Sequence, residues 1–416
     1  MALSKRGWSN VEAIMPKIKG AVTERMAKTT TNIDLSTAEN WLLRPELVEI
    51  CRNAVKQNLD EKHFSYPRGF SGDPDLLDAY CAFFNKYFKP YRIVEPSHLA
   101  TAPGAMAGLD TLLYNICDPG DGVLIPGPYW NGFDFGVRVR SSVNPVLAIV
   151  PSIMDNFEEG PFLKALEEAL SSANCPVKAL MFTSPHNPLS LCYTRPLVEA
   201  CVRFCEKQDL HFICDEVYGM SVFNSPDMTN PQGFESVLSL NLEELGVNPA
   251  RVHVVWSMSK DFGQSGFRMG VTITQSNQEM AVAAALAAQM QVSTLSATFV
   301  TALLTAPNLD ELIQLNKKRL AEAYTKLTKF FKEHDIPYIP CNAGLYVFAK
   351  IAPNAETWED ESAVIAKLKD VGVHVSPGKA YHGPENEKGW ARIGFAVKPQ
   401  DLDEAIRRME PVFSRP

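Results

Sequence analysis

Between residues 100 and 276, short apolar runs rich in β-branched residues alternate with longer stretches of helical spacing, and this alternation constrains the fold more than any other feature. The runs lie at 122–126, 146–150, 179–183, 212–217, 252–256 and 269–274. A strand with one wet face would alternate apolar and polar residues. A run that is apolar almost throughout belongs to a strand covered on both faces, as in a mostly parallel sheet between helices. Helical spacing recurs at 161–173, 195–207, 309–333 and 361–371. Strands at 343–350 and 391–396, with a helix at 401–413, predict a second, smaller α/β layer toward the C-terminus. The alanine-rich run 277–305 reads as helix leading into the inter-domain region, and 224–250, with three prolines, as an irregular insertion. The fold class is α/β.

The 416 residues give room for two or three domains around a large core. Forty Lys and Arg against 48 acids leave a net charge of −8, which argues against a nucleic-acid backbone or an anionic membrane as partner and favours a small ligand. Nine cysteines without a CxxC pair read as reduced thiols in a cytoplasmic protein. No window is apolar enough to span a membrane, and the first 30 residues mix Lys5, Arg6, Lys17 and Lys19 with Glu12 and Glu24, unlike a secretory leader. A basic transit segment is the alternative reading of that start. The segment Gly372 to Lys379 has one residue too many for a nucleotide P-loop, and Ala380 stands where a magnesium-holding hydroxyl would be. No GxGxxG follows a strand, and the eight histidines show no paired ligand spacing.

The informative segment runs from Val255 to Gly270. Lys260 follows a strand end, flanked by Ser257 and Ser259, with Arg268 eight positions on in a glycine-rich turn. An amine there suits a Schiff base to a carbonyl cofactor, with the two serines and the arginine holding a phosphate. An ordinary solvated lysine is the plain alternative. Two further strand ends add weight: Asn187 lies in the proline-bracketed turn 185–188, and Asp215 ends an apolar strand with Tyr218 three residues beyond. An acid at a sheet edge is costly unless it meets a cation, and a pyridinium nitrogen is one. Asn187 and Tyr218 would then donate to the ring phenolate. As a lone feature, Asp215 reads equally as a helix N-cap or loop acid.

These residues, in this order, resemble the fold type I pyridoxal-phosphate enzymes of the class I/II aminotransferase group. The stretch Ser257 to Arg268, with 342–345 and 375–378, is most similar to 1-aminocyclopropane-1-carboxylate (ACC) synthases and ACC-synthase-like fungal enzymes. The resemblance implies pyridoxal 5'-phosphate as cofactor, Lys260 as its covalent anchor, Asp215 as the pyridinium partner, and Asn187 and Tyr218 as phenolate ligands. It implies a phosphate cradle at the helix start formed by Gly104, Ala105 and Met106, where Met106 replaces the family's usual small hydroxyl residue. Trp130 would stack on the cofactor ring, and Arg392 would grip a substrate α-carboxylate unless it is a solvated edge charge. Tyr66 would reach the partner subunit's phosphate, making the protein a homodimer with shared sites. The implied organisation is an N-terminal arm and part of the small domain at 1–45, a large cofactor-binding domain at 46–300 and a small C-terminal domain at 301–416.

Glu39 matches an acid that lies near the substrate in ACC synthases, where it would favour a sulfonium or amino group; a helix-capping role is its other reading. With Cα deprotonated, reprotonation on the cofactor gives transamination, a β-carbon leaving group gives elimination, and a γ-sulfonium permits ring closure. Carbon–sulfur cleavage, from a cysteine conjugate or from S-adenosylmethionine, is the expectation. Transamination to a 2-oxo acid is the alternative, and a non-catalytic binding protein on the same scaffold the remote one.

Overall fold

The computed structural model describes residues 2–26, 31–289 and 292–414. Seven strands form one sheet in the order Leu99–Ala102, Gly270–Ile273, Val252–Ser257, His211–Asp215, Val177–Thr183, Gly122–Gly127, Asn144–Ile149. Gly270–Ile273 runs antiparallel to both neighbours, and the remaining pairs are parallel. Successive residues of the central strands enter different cores. Leu124, Leu180, Phe182, Phe212, Val254 and Trp256 pack with helices Pro74–Tyr87, Glu159–Ser172 and Arg195–Lys207. Val123, Ile125, Ala179, Met181, Ile213 and Val255 pack on the opposite face with Ala105–Ile116 and Gln278–Ala288. Both faces are dry, so the strands read as continuous apolar runs.

A three-stranded antiparallel sheet, Ser376–Pro377, Ala391–Gly394 and Tyr346–Ala349, forms a second layer with helices Leu309–Glu333 and Pro399–Phe413 around its own core. The segment after Ile33 joins it. Ile33–Asp34 pairs with Val373–His374, and Gly394 N donates to Leu35 O at 2.7 Å. Residues 36–40 are thereby laid alongside the ends of the large-sheet strands. Among the described residues, no helix is long and apolar enough to cross a membrane.

Two expectations need correcting, and one strand was not foreseen. The alanine-rich run is two helices, Gln278–Ala288 and Thr294–Leu304, because Gln289 turns left-handed at φ 53°; Met290 and Gln291 lie outside the described residues. Leu99–Ala102, a buried strand of small residues without β-branching apart from Thr101, carried no strand signal. The 212–217 run stops as a strand at Asp215, where Glu216–Gly219 turn.

Candidate active site

The C-terminal ends of three adjacent parallel strands converge on one cavity, where open α/β sheets bind ligands. Strand Val177–Thr183 leads to Asn187, His211–Asp215 ends on Asp215 with Tyr218 in the following turn, and Val252–Ser257 delivers Ser257, Ser259 and Lys260. The cavity holds about 420 Å³ and is also lined by Ala105, Met106, Trp130, Arg268, Tyr381 and Arg392.

Lys260 is half-buried in the short helix Met258–Asp261, and its Nζ donates to Ala38 O at 2.7 Å. Burial first, then the nearby Arg392 guanidinium, lowers its pKa to about 8. Asp215 accepts a 3.4 Å bond from the Val217 amide, and burial raises it to about 7. Arg392 is buried: Nη1 donates to Asn187 Oδ1 at 3.0 Å and Nη2 to Ser36 O at 2.6 Å. The rings of Tyr346 and Tyr381 flank its guanidinium at 4.4 and 5.3 Å. Tyr218 is buried edge-on to Tyr346, 5.6 Å between centroids, and burial holds its phenol well above the usual value.

At the helix Ala105–Ile116, Gly104 occupies the N-cap with φ 94° and no side chain caps the first turn, which leaves its amides for an anion. A Cβ on Gly104 would sit 2.3 Å from Arg268 Nη2, so glycine lets that guanidinium lie against the helix start. Arg268, itself left-handed at φ 52°, donates to Ser265 O and Pro103 O at 2.7 and 2.9 Å. Met106 packs on Gly136, whose Cβ would meet Met106 Sδ at 2.5 Å. Trp130 lies edge-on to Phe133, whereas Tyr129 turns away to donate to Asp134 at 2.6 Å.

This arrangement fits pyridoxal 5'-phosphate. Uncapped amides, two serines and an arginine suit the phosphate, a buried carboxyl that stays raised despite the nearby Lys260 suits a further cation, and an amine of lowered basicity stands ready for an aldehyde. Two sequence-predicted residues lie elsewhere. Glu39 does not line the cavity: its carboxylate pairs with Arg44 at 3.0 Å and accepts from Ser265 Oγ at 2.7 Å. Tyr66 is 89% exposed, near the equally bare Phe64, outside the cavity of its own chain. Sequence reading missed Ala38 O, Ser36 O and the two tyrosines about Arg392. Tyr381 was within reach, three residues past the flagged 375–378 segment.

Such a fold and site define a fold type I pyridoxal-phosphate enzyme. The family model for aminotransferase class I and II matches residues 30–409, and the chain belongs to that family. It is 51% identical to "Probable aminotransferase aclI" of Aspergillus oryzae over 99% of this chain and 98% of that protein. It is 36% identical to "Probable aminotransferase sirI" of Leptosphaeria maculans, covering 98% and 97%. A tomato (Solanum lycopersicum) 1-aminocyclopropane-1-carboxylate synthase is 29% identical over 95% of this chain and 82% of its own length. In fold, the chain resembles Thermus thermophilus aspartate aminotransferase, with TM-score 0.78, 21% identity and coverage of 99% and 100%.

Proposed function

We propose that this enzyme removes the Cα proton of an amino-acid substrate and cleaves a carbon–sulfur bond in its side chain. The observation that carries the first half is the Lys260 amine, lowered to about 8, in one cavity with the buried guanidinium of Arg392. Arg392 receives the α-carboxylate through a planar two-point contact, which fixes the Cα–H bond toward the lysine. Bound pyridoxal phosphate supplies the electron sink. Lys260, as free amine, takes the Cα proton, and Asp215 keeps a proton on the ring nitrogen. In elimination the Cα–H electron pair becomes the Cα–Cβ double bond, and sulfur leaves with the Cβ–S pair.

Transamination is the second reading, favoured by the names of the fungal relatives. Incubating holoenzyme with S-adenosylmethionine, cysteine S-conjugates, or amino acids plus a 2-oxo acid, with products identified by mass spectrometry, separates the two. Free thiol with an imine-derived 2-oxo acid, or ACC, supports cleavage; a new amino acid alone overturns it in favour of transamination.

We also propose a homodimer in which Tyr66 completes the partner's site; the exposure of Phe64, Tyr66 and Phe70 supports a covered surface there. A cytoplasmic location is supported by the nine free cysteines.

A further inference from the structure

The residue after Lys260 points away from the cavity and is buried with a full set of partners. Asp261 Oδ2 accepts from Trp256 Nε1 at 2.8 Å and from the Met220 amide at 3.0 Å, while Oδ1 accepts from Ser221 Oγ at 2.6 Å. Trp256 belongs to the strand that delivers Lys260. Met220 and Ser221 belong to the turn that carries Tyr218, closed by Ser221 N donating to Tyr218 O at 2.9 Å. The main chain of the same residue grips a third segment: Asp261 O accepts from Asn40 Nδ2 at 3.4 Å and Asn316 Nδ2 at 3.3 Å. Asn40 also donates to Asn316 Oδ1 at 2.9 Å, Gly263 lets its main chain approach closely, and two residues earlier lies Ala38 O, the resting acceptor of Lys260 Nζ.

We propose that Asp261 is a positioning residue that sets the Lys260 amine against the Tyr218 hydroxyl by binding the segments that carry both. The inference rests on the roles given above to Lys260 and Tyr218. An apolar side chain would fill the same volume without the cost of burying a carboxyl, but it would orphan three donors. Those donors come from the two segments whose spacing the chemistry needs. Asn in place of Asp keeps the shape, but its one oxygen can serve the Trp256 and Met220 donors only by turning its amide nitrogen to Ser221 Oγ, which must then accept instead of donate, and every tie loses the carboxylate's charge.

The test is the pH titration of the cofactor's visible band in purified holoenzyme. Tyr218, which lines the cavity, would donate to the ring phenolate of the bound cofactor and so favour its ionised form. Asp261→Asn is therefore expected to move the midpoint up by about 0.5–1 unit, and Ser221→Ala to move it less in the same direction. In a Tyr218→Phe background Asp261→Asn is expected to add almost nothing, because the group it positions is gone. A lower Tm with an unmoved midpoint, or a shift that adds in full on Tyr218→Phe, overturns the proposal. Should Asp261→Asn be insoluble, Ser221→Ala and Trp256→Phe, each removing one tie, decide by the same midpoint. Lys260→Ala tells the two failures apart: if it retains the visible band, the lysine assignment falls, whatever Asp261 does.

Discussion

Arg392 Nη1 lies 3.0 Å from Asn187 Oδ1, so the group proposed to receive the substrate carboxylate and the group proposed to face the cofactor phenolate share one hydrogen bond. The Arg392 fork is already half used, with Nη2 on Ser36 O and the rings of Tyr346 and Tyr381 packed against it. Lysine could supply the charge but not the planar two-point contact. Arg392→Lys is expected to raise KM for an amino-acid substrate roughly 10- to 100-fold, the loss of a charged hydrogen bond of about 1.5–3 kcal/mol. Because Asn187 loses its partner, the cofactor's visible band should also shift without substrate. Steady-state kinetics and absorbance spectra check both.

Lys260 gives a pH prediction for cofactor loading. Burial, reinforced by Arg392, lowers its pKa to about 8, so the amine is largely protonated at neutral pH in the cofactor-free protein. Attack on the aldehyde needs the neutral amine. The association rate of pyridoxal phosphate with apoprotein should rise about tenfold per unit below pH 8 and level off above it. Stopped-flow absorbance measures this, and a rate flat from pH 6 to 9 would contradict an amine that titrates near 8.

Asp215 makes the empty protein unstable in a defined pH window. Burial raises it from 3.8 to about 7, so between those values the folded chain holds a proton that the unfolded chain releases. Its contribution to stability therefore falls as pH rises through that window and is least favourable above 7. At about 1.4 kcal/mol per unit, the cost approaches a few kcal/mol. Asp215→Asn should raise the Tm of cofactor-free protein by several degrees at pH 8 and change it little at pH 4. In holoenzyme the pyridinium offsets the charge, and the same substitution should lower Tm at pH 8. Calorimetry of both forms shows the crossover.

Much of this site was legible because it needs scarce residue types at strand ends. Lys260, Asp215, Asn187 and Arg268 stand out against apolar runs that both faces of the sheet keep dry, and the cavity collects all four. Main-chain partners leave no such trace. That Ala38 O receives Lys260 and Ser36 O receives Arg392 depends on the path of 36–40, which Ile33–Asp34 sets by pairing with Val373–His374, some 340 residues along the sequence. Glu39 was legible as an acid near the site, but which way it faces is decided by Arg44 and Ser265. Gln289 broke a helix that its alanine-rich surroundings favoured, since glutamine carries no breaker signal.

Met106 separates cofactor affinity from stability. Its thioether fills the space against Gly136 where the family commonly has a small hydroxyl residue, leaving the uncapped amides, Ser257, Ser259 and Arg268 to face the phosphate. Met106→Ser adds a donor and opens a void. The donor should tighten pyridoxal phosphate binding a few-fold, about 0.5–1.5 kcal/mol. The void should destabilise the apoprotein by roughly 2 kcal/mol. Equilibrium dialysis and thermal melts of apoprotein should therefore move in opposite directions.

The exposure of Tyr66 leads to a test of subunit sharing. The ring is 89% exposed and outside its own chain's cavity, and the proposed dimer gives it a place in the partner's site. Tyr66→Ala and Lys260→Ala homodimers should each lose most activity, the second all of it. When the two are co-expressed, a mixed dimer has one site that combines an intact Lys260 with the partner's intact Tyr66, and a second site that lacks both. About a quarter of wild-type activity should return, because half the dimers are mixed and each has one sound site. Were Tyr66 to serve its own chain, one site of every mixed dimer would lack the tyrosine and the other the lysine, and co-expression would restore nothing beyond the residual activity of Tyr66→Ala.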